Sequence, residues 1–322
     1  MPILQNNDEI ILVLDSQCDN SCVFCQNSRL VHGKNTQQLT HDEPDDINTI
    51  KCRIRLAKSL GFRKICFTGN EILNRSSIID LLVFARKLSF TNITVQTTGR
   101  KLKNFVFLKK VVTAGANGFH VPIYGSTAKI NDAITNSPGS FVDLMEALNN
   151  LSRFDLPVTL NGIFLTQNYA DIPSLVRLKI EQFPGMRFMI DHYRPHAASL
   201  IFYHFLMPRY TKVIRYFKKA VELYTKRYRY HSDLFIYFAR YFLSMPFCII
   251  NKIDKEMFRC VILKISRGYL VSVKNKDDSF KYTSRRKVVS CSGCVFNSLC
   301  LGPYVHYLKA YGSEEFRPIK GA

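Results

Sequence analysis

Three cysteines near the amino end of the chain have the spacing of a metal-binding loop. Cys18, Cys22 and Cys25 lie in the stretch CDNSCVFC, directly after an apolar run, Ile10 to Leu14, that is typical of a strand. Three thiolates on one loop can bind three irons of a cubane iron–sulfur cluster and leave the fourth iron without a protein ligand. An iron with an open coordination position can bind a substrate or a cofactor.

Zinc and disulfides are the alternatives for this loop. A structural zinc site usually has four ligands, and the next candidate along the chain, His32, lies beyond a polar loop. A zinc site that includes His32 remains an open alternative. A disulfide framework is disfavoured, because a chain of 322 residues without a visible secretory signal does not need such cross-links.

The cysteine loop resembles the signature of the radical S-adenosylmethionine (SAM) enzymes. The likeness rests on the CxxxCxxC pattern, on the aromatic Phe24 before the last cysteine, and on the position after the first strand. It implies a [4Fe–4S] cluster whose open iron is chelated by the amino and carboxylate groups of SAM, and a 5′-deoxyadenosyl radical released by electron transfer into the sulfonium. The cofactors then supply the difficult chemistry. A reductant such as a flavodoxin or a ferredoxin is the implied redox partner.

The same resemblance implies SAM contacts at the ends of successive strands. After the strand Lys64 to Phe67 the chain carries a variant of the family's GGE motif, which receives the SAM amino group, with Thr68 in place of the first Gly and Ile72 in place of the usual Pro. Polar residues follow the third and fourth strands, and the fifth strand is expected to approach adenine through its backbone. The implied SAM contacts are Phe24, Gly69, Asn70, Glu71, Thr98, Gly99, Ser126, Gly162 and Ile163.

Strands and helices alternate along the first two thirds of the chain. Six strands are expected between Ile10 and His192, with intervening helices at Asn48 to Leu60, Ser76 to Leu88, from a cap at Ser140, and at Ile172 to Phe183. This order predicts an α/β fold with a parallel sheet, and it matches the partial (β/α)6 barrel of the family. In such barrels the active site lies at the carboxyl ends of the strands, where the cysteine loop and the implied SAM contacts fall.

A second group of cysteines lies near the carboxyl end. The stretch CSGCVFNSLCLG contains Cys291, Cys294 and Cys300, and a fourth ligand is expected from Cys248 or, as an alternative, Cys260. The segment resembles the auxiliary-cluster ends of radical SAM enzymes, the SPASM and twitch domains, and this resemblance implies a second [4Fe–4S] cluster. Structural zinc remains the alternative, since four thiolates also suit zinc. A hairpin at Gly268 to Val273 and Ser279 to Thr283 is expected to support this site.

Other cysteines and histidines are interpreted as structural. Cys52 on a helix and Cys66 on a strand are expected to be small core residues. His120, on a strand, is expected to be a hydrogen-bonded core residue rather than a base. At the end of the sixth strand, His192, Tyr193, Arg194 and His196 are candidates either for substrate contact or for packing.

Composition indicates a globular protein with a strong positive charge. Hydrophobic residues make up 47% of the chain, the formal net charge is +20, and the most apolar stretch is too interrupted to span a membrane. We expect a cytoplasmic protein without a membrane partner. The charge favours an acidic partner such as nucleic acid or an acidic peptide. The expected divisions are a radical SAM barrel over 1–200, a basic helical bridge over 201–245 and an auxiliary-cluster domain over 246–322.

Two classes of function follow from these motifs. The first is a radical SAM enzyme, in motif layout most similar to maturases that modify ribosomally made peptides, with RNA or a small metabolite as the alternative substrate. No separate leader-binding domain is expected ahead of the barrel. The second class is a non-catalytic iron–sulfur or zinc protein, which would not need Glu71 or the turn at Gly99.

Overall fold

The computed structural model describes residues 8–14, 16–25, 46–193, 203–230, 232–240, 242, 245–262 and 285–320. They contain an open six-stranded sheet in the order β1-β2-β3-β4-β5-β6, and the registers from β1 to β5 are parallel. The strands are β1 (Glu9–Leu14), β2 (Lys64–Gly69), β3 (Asn92–Gln96), β4 (Gly118–Pro122), β5 (Val158–Phe164) and β6 (Arg187–His192). The α/β class, the six strands and the partial barrel predicted from the sequence are confirmed.

Helices separate the strands and fill the region after β6. In the described ranges, six of them lie between β1 and β6: α1 (Ile47–Ser59), α2 (Ile78–Lys87), α3 (Phe105–Ala114), α4 (Ala128–Thr135), α5 (Ser140–Leu151) and α6 (Ile172–Gln182). The others are α7 (Tyr203–Leu206), α8 (Tyr210–Arg227), α9 (Asp233–Arg240), α10 (Phe247–Ile253), α11 (Lys255–Cys260) and α12 (Val305–Tyr311). Short 3-10 turns occupy Ile72–Asn74, Arg100–Lys103 and Val289–Gly293.

The chain divides into two compact units. The first contains residues 2–123 and 127–161, and the second contains residues 124–126 and 162–322. Within the part of the chain that is described, no helix is both long and apolar enough to cross a bilayer. The predicted divisions at 200 and 245 and the predicted cytoplasmic location stay predictions.

The edge strand β1 is brought against β2 by a glycine. Leu12 and Leu14 are buried on one face, whereas Ile11 and Val13 on the other face are 63% and 64% exposed. Leu14 is in register with Gly69, the last residue of β2. A Cβ at Gly69 would lie 1.9 Å from the carbonyl oxygen of Leu14, so only glycine allows the two strand ends to approach this closely. The close approach brings the segments that follow β1 and β2 side by side.

Two helices that the sequence patterns did not predict lie between β3 and β5. The helix α3 begins after Asn104, whose side chain accepts a hydrogen bond from Phe107 N, and α4 ends at Asn136 in a left-handed conformation. The prediction that Ser140 caps α5 is wrong. Ser140 lies inside the helix, and Asp132 of α4 accepts from the backbone nitrogens of Gly139 and Phe141 instead. A carboxylate from the preceding helix therefore satisfies the first turn.

The region after β6 is built around the helix α8. Its apolar stripe is buried at Tyr210, Val213, Phe217, Val221 and Tyr224, whereas Ile214 is half-buried. Rings from neighbouring elements pack on this stripe, with Phe164 of β5 lying 5.2 Å from Phe217 between ring centroids. Charged residues of the helix face solvent, as an amphipathic pattern requires.

The structural cysteines differ from the prediction at one position. Cys66 is buried in β2 as expected, whereas Cys52 is exposed on α1. The expectation that Cys52 is a core residue is therefore wrong, because the buried face of α1 consists of Ile50, Ile54 and Ala57. The predicted hairpin at 268–283, as well as His32, Arg194 and His196, lie outside the described residues.

Candidate functional site

The cysteine loop follows β1, and its sulfurs are close enough to act on one another electrostatically. Desolvation of the sulfur raises the pKa of the Cys18 thiol to about 12 even though the residue as a whole is exposed. Desolvation also raises the pKa of Cys22, and the nearby charges of Cys18 and Cys25 add to this shift. At neutral pH these metal-free groups are thiols, so binding of iron as thiolate ligands releases protons.

This donor set fits a cubane cluster. Within the described ranges, no three Cys, His, Asp or Glu side chains meet closely enough to hold one metal ion. Three thiolates that each bind a different iron of a cubane do not need to meet at one point. The backbone nitrogen of Asn20 donates to Cys18 Sγ over 3.4 Å, the kind of contact that tunes cluster sulfurs.

The loop that carries these cysteines is held by side chains from two other segments. Asn70 Nδ2 donates to the carbonyl oxygen of Ser16 over 2.9 Å, and Asn74 Nδ2 donates to that of Gln17 over 2.9 Å. Arg100 Nη1 donates to the carbonyl oxygen of Asp19 over 3.1 Å. The segments after β2 and β3 therefore position the cysteine loop through its backbone.

The carboxyl end of α4 holds the loop on its other side. The backbone nitrogens of Ser21 and Val23 donate to the carbonyl oxygens of Thr135 and Ile134, each over 2.9 Å. The last carbonyls of a helix lack partners within the helix, so the end of α4 gains donors for its carbonyl oxygens and the loop gains fixed acceptors for its backbone nitrogens. Both sides of the arrangement are stabilised by the same contacts.

Glu71, which the family resemblance assigns to the SAM amino group, is fully buried in a network of donors. Its Oε1 accepts from Leu73 N over 2.9 Å and from Thr97 Oγ1 over 2.7 Å. Its Oε2 accepts from Thr98 N over 2.6 Å and from Thr98 Oγ1 over 2.5 Å. Burial raises the pKa of this carboxyl, and the hydrogen bonds from Thr98 and Thr97 oppose that shift. Glu71 thus ties the end of β2 to the end of β3.

Two glycines complete the turns at these strand ends. Gly99 follows Thr98 with a φ of +86°, and a Cβ there would lie 3.1 Å from a side-chain carbon of Val121. Its nitrogen donates to Thr97 Oγ1 over 3.1 Å. Together with Gly69, this residue allows the two turns to lie against neighbouring backbone and side chains without a clash.

The remaining implied SAM contacts belong to the second unit, apart from Phe24, which is half-buried in the cysteine loop. Ser126 is held by Asp171, whose carboxylate accepts from both its nitrogen and its hydroxyl over 2.6 Å. Gly162 is buried, and the carbonyl oxygen of Ile163 accepts from Asn168 Nδ2 over 2.9 Å. The roles of these residues stay predictions.

The C-terminal cysteines lie around one pocket of the second unit. Cys248, Cys291, Cys294 and Cys300 all line it, together with apolar residues such as Phe247. Burial raises the pKa of the Cys248 thiol to about 12, and Cys300 adds to the shift. The nitrogens of Phe247 and Gly302 donate to Cys300 Sγ over 3.5 and 3.4 Å. Four thiols and backbone donors to sulfur suit an iron–sulfur cluster or zinc.

Cys260, the alternative fourth ligand, does not line this pocket. It is buried at the end of α11, and its Sγ lies 3.7 Å from the carbonyl oxygen of Tyr230. Of the two candidates for the fourth ligand, Cys248 on α10 is the one that lines the pocket.

The histidine at the end of β6 is packed among aromatic rings. His192 and Tyr193 are each 2% exposed, and the His192 ring stacks on Tyr304 with centroids 4.8 Å apart. This arrangement favours packing rather than substrate contact for the pair. His120 is half-buried on β4.

Several residues near the cysteine loop were not anticipated from the sequence. Asp19, a residue of the loop itself, contacts Thr98. The residues outside the loop that contact it or Glu71 are Asn74, Thr97, Arg100 and Ser137. Thr97 was the easiest to find, since it directly precedes the recognised Thr98 and Gly99 at a strand end. The others lie at positions that no motif marks.

Comparison with known proteins agrees with this geometry. The model of the Radical SAM superfamily matches residues 14–178, which include the cysteine loop and Glu71. The chain is 24% identical over 172 residues to the PqqA peptide cyclase of Rhodopseudomonas palustris, and 27% identical over 174 residues to a probable GTP 3′,8-cyclase of Thermoplasma volcanium. These matches cover 53% and 52% of this chain, but only 43% and 49% of the two relatives.

Solved structures share the fold over nearly the whole chain. Streptococcus suis SuiB bound to the precursor peptide SuiA matches with a TM-score of 0.56 at 16% identity, over 97% of this chain and 75% of that one. The protein anSMEcpe, with bound AdoMet and a peptide, matches with a TM-score of 0.58 at 10% identity, over 96% of this chain and 92% of that one. With its cysteine loop at the end of β1 and the superfamily match over half of its length, the chain belongs to the radical SAM superfamily of enzymes.

Proposed function

We propose that the chain is a radical SAM enzyme that modifies a ribosomally made peptide. The observation that carries this proposal is the loop with Cys18, Cys22 and Cys25, held by Asn70, Asn74 and the end of α4. Three thiols on an anchored loop suit a [4Fe–4S] cluster with one open iron, which is where SAM would be chelated.

The chemistry comes from the bound cofactors. Cys18, Cys22 and Cys25 would hold the cluster, and the cluster and SAM would together supply the radical chemistry that removes a hydrogen atom from the substrate. The chain contributes thiolate ligands, a fixed loop backbone and the strand-end turns at Gly69 and Gly99, which lie next to that loop. Ser126, Gly162 and Ile163 are proposed to hold the nucleoside part of SAM.

A second cluster is proposed at the C-terminal pocket. Its ligands would be Cys248, Cys291, Cys294 and Cys300, the four cysteines that line the pocket. The two backbone nitrogens that donate to Cys300 Sγ suit either metal site, and what supports iron–sulfur over zinc is the likeness of this segment to the auxiliary-cluster ends of radical SAM enzymes. A cluster with four thiolate ligands has no open iron and would carry electrons rather than bind substrate.

The peptide substrate is supported by relatives of similar fold. SuiB was crystallised with a precursor peptide, anSMEcpe was crystallised with a peptide, and the relative from Rhodopseudomonas palustris is named a peptide cyclase. Because the chain spans under half of the length of the peptide cyclase and the probable GTP 3′,8-cyclase that it matches, this substrate class is proposed for the chain rather than transferred to it.

The basic surface of α8 supports an acidic partner. Eight cationic residues in and beside this helix are exposed: Arg209, Lys212, Arg215, Lys218, Lys219, Lys226, Arg227 and Arg229. An acidic reductant such as flavodoxin or ferredoxin, or an acidic segment of the substrate peptide, would be attracted by this charge. Attraction of this kind weakens as salt is added.

Anaerobic reconstitution with iron and sulfide tests the proposal. The reduced protein should convert SAM into 5′-deoxyadenosine, and Cys22→Ala should abolish that product while the exposed Cys52→Ala retains it. Loaded clusters that leave SAM intact would instead support a non-catalytic iron–sulfur protein. Deuterium transfer into 5′-deoxyadenosine from a labelled peptide encoded beside the gene supports peptide modification, and transfer only from RNA or a small metabolite contradicts it.

A further inference from the structure

The loop that carries three of the C-terminal cysteines, residues 289–300, exposes large apolar side chains. Val289 is 94% exposed, Val295 53% and Leu299 40%. The loop does not need these side chains to stay in place, because Phe296 already packs inward, with its ring centroid 5.2 Å from that of Phe258 on α11. Single exposed apolar residues are common on protein surfaces, whereas several on one short loop are typical of a surface that binds another molecule.

These side chains lie next to cysteines of the C-terminal pocket. Val295 directly follows Cys294, and Leu299 directly precedes Cys300. Val289 lies two positions before the remaining cysteine of the loop. Consecutive Cα atoms are about 3.8 Å apart, so a molecule that covers the three apolar side chains comes close to whatever the cysteines bind.

Positive charge surrounds this C-terminal loop. Residues 285–320 contain six Lys or Arg and two Glu, of which Glu315 is buried. The segment that follows Glu315 lies against the loop, since Ser290 Oγ donates to the carbonyl oxygen of Phe316 over 2.9 Å. Farther along, Val295 N donates to the carbonyl oxygen of Ile319 over 3.0 Å. Exposed cations on these two segments are Arg286, Lys287, Arg317 and Lys320. An apolar centre with a cationic rim is complementary to a partner with an apolar centre and an acidic rim.

We propose that the C-terminal loop is the docking surface of an acidic one-electron carrier of the flavodoxin or ferredoxin class, which exchanges electrons with the second cluster. The inference rests on the proposed function, because it requires an iron–sulfur cluster at the C-terminal pocket. One electron passes from the reduced carrier to the oxidised cluster, or in the opposite direction, and no bond forms or breaks. Because electron transfer slows steeply with distance, a carrier that covers the neighbours of the cysteine ligands is placed for this exchange.

Other partners fit this surface less well. A second copy of the chain in a twofold interface would bring the same cations face to face, and like charges repel. Nucleic acid is bound mainly through its phosphates, which gain nothing from exposed valine and leucine. The helix α8 has more cations, but its large apolar side chains are buried or half-buried. It can therefore attract an acidic carrier without supplying the apolar contact.

The test measures the affinity of a purified flavodoxin, and of a [2Fe–2S] ferredoxin in parallel, for the cluster-loaded full chain. Anaerobic calorimetry at low salt should show binding to the wild type that weakens as salt is added. Arg286→Glu combined with Lys320→Glu should lower the affinity roughly tenfold. Val289→Ser combined with Leu299→Ser should lower it roughly fivefold and leave its salt dependence unchanged.

Matched controls come from the other unit of the chain. Lys87→Glu with Lys110→Glu makes the same change in net charge on exposed positions of α2 and α3. Val106→Ser with Val142→Ser removes apolar side chains that are 77% and 62% exposed on α3 and α5. Both pairs should keep the wild-type affinity. All substituted side chains are exposed, so the variants should also keep the wild-type melting temperature.

A second measurement reports the electron exchange itself. Stopped-flow mixing on Cys22→Ala, which should retain only the C-terminal cluster, starts from whichever partner is the stronger reductant and follows cluster absorbance. The second-order rate constant should fall in the two loop pairs and not in the controls.

Three results overturn the inference. These are affinities in the loop pairs equal to those of the controls, a larger loss from Lys218→Glu with Lys219→Glu on α8, and loop pairs that lose binding of a short single-stranded RNA but keep the carrier. Zinc at the pocket is a different outcome, because it contradicts the proposed second cluster and the docking surface falls with it.

Discussion

Thr98 and Glu71 are joined by two hydrogen bonds from a single residue: the Thr98 nitrogen and hydroxyl lie 2.6 and 2.5 Å from Glu71 Oε2. The two residues are 27 positions apart in the sequence and belong to the ends of different strands. Because Glu71 is buried, these bonds decide whether its charge is tolerated at all.

Removal of the Thr98 hydroxyl should therefore be costly. In Thr98→Val the side-chain shape is kept but one lone pair of the Glu71 carboxylate loses its donor, and we expect a loss of about 1–3 kcal/mol in the free energy of unfolding. Urea denaturation of the metal-free protein measures this. Thr127→Val is the control, since Thr127 is exposed and its side chain does not cap α4. Equal stability of the two variants would show that the network contributes little.

Substitution of Gly69 should disturb the first two strands. A Cβ at this position would lie 1.9 Å from the carbonyl oxygen of Leu14, and its φ of +154° is unfavourable for other residues. We expect Gly69→Ala to lower the free energy of unfolding by more than about 2 kcal/mol. Gly185→Ala is the matched control, because a Cβ there meets nothing within 4 Å and its φ is not positive. Comparable melting temperatures for the two variants would contradict the close approach of β1 and β2.

The strands could be predicted from the sequence because their signals are local. Runs such as Asn92 to Gln96 alternate with helical stripes, and glycine or polar residues end them. Features that depend on which elements pack together in the fold were missed or predicted wrongly. Serine is a residue type that often caps helices, which is why Ser140 was predicted to do so. In the structure, the carboxylate of Asp132 in the preceding helix accepts from the first turn instead. Cysteine is a residue type that is often buried, but Cys52 faces solvent because the buried side of α1 consists of Ile50, Ile54 and Ala57.

The candidate site divides in the same way. The cysteine spacing and the turn at Thr98 are contiguous motifs and were recognised directly. The partners of Glu71 and the position of Asp19 depend on which strand ends meet, and no local pattern records that. The choice between Cys248 and Cys260 likewise needed the packing of α10 and α11, since the two sulfurs are only 12 positions apart in the sequence yet have different surroundings.

The C-terminal pocket makes a prediction about iron content. Cys248→Ala should lose about four of the about eight irons expected for two clusters, because one ligand of the second cluster is removed. Cys260→Ala should keep the full content and serves as the control. Iron and sulfide assays, with electron paramagnetic resonance of the reduced protein, measure both. Loss of iron in Cys260→Ala alone, or zinc in place of iron at the pocket, would contradict the ligand assignment.

Lys179 should make stability depend on pH. It is fully buried between Pro184 and Tyr228, and burial lowers its pKa from 10.5 to about 7, with Arg227 adding to the shift. Above pH 7 the unfolded chain keeps this proton and the folded chain releases it, so the unfolded state binds more protons. Stability from this residue therefore rises between pH 7 and pH 10, by roughly 2–3 kcal/mol up to pH 9.

The variant Lys179→Met isolates that contribution. The unfolding free energy of the wild type minus that of the variant should become more positive by roughly 2–3 kcal/mol as the pH rises from 7 to 9, because only the wild type gains stability from the deprotonated amine. Chemical denaturation across this range measures the difference. A difference that is constant with pH would show that the Lys179 amine titrates alike in the folded and unfolded chains.

The anchoring of the cysteine loop has a consequence for assembly. Residues that bind no iron fix the backbone of the loop at five positions: Ser16, Gln17, Asp19, Ser21 and Val23. The backbone of the cluster-binding loop is thus ordered by contacts that do not need the metal, so the conformational entropy of these positions is lost on folding rather than on metal binding. A chain that has lost its iron through oxidation should therefore keep the conformation of this loop and bind iron and sulfide again without unfolding.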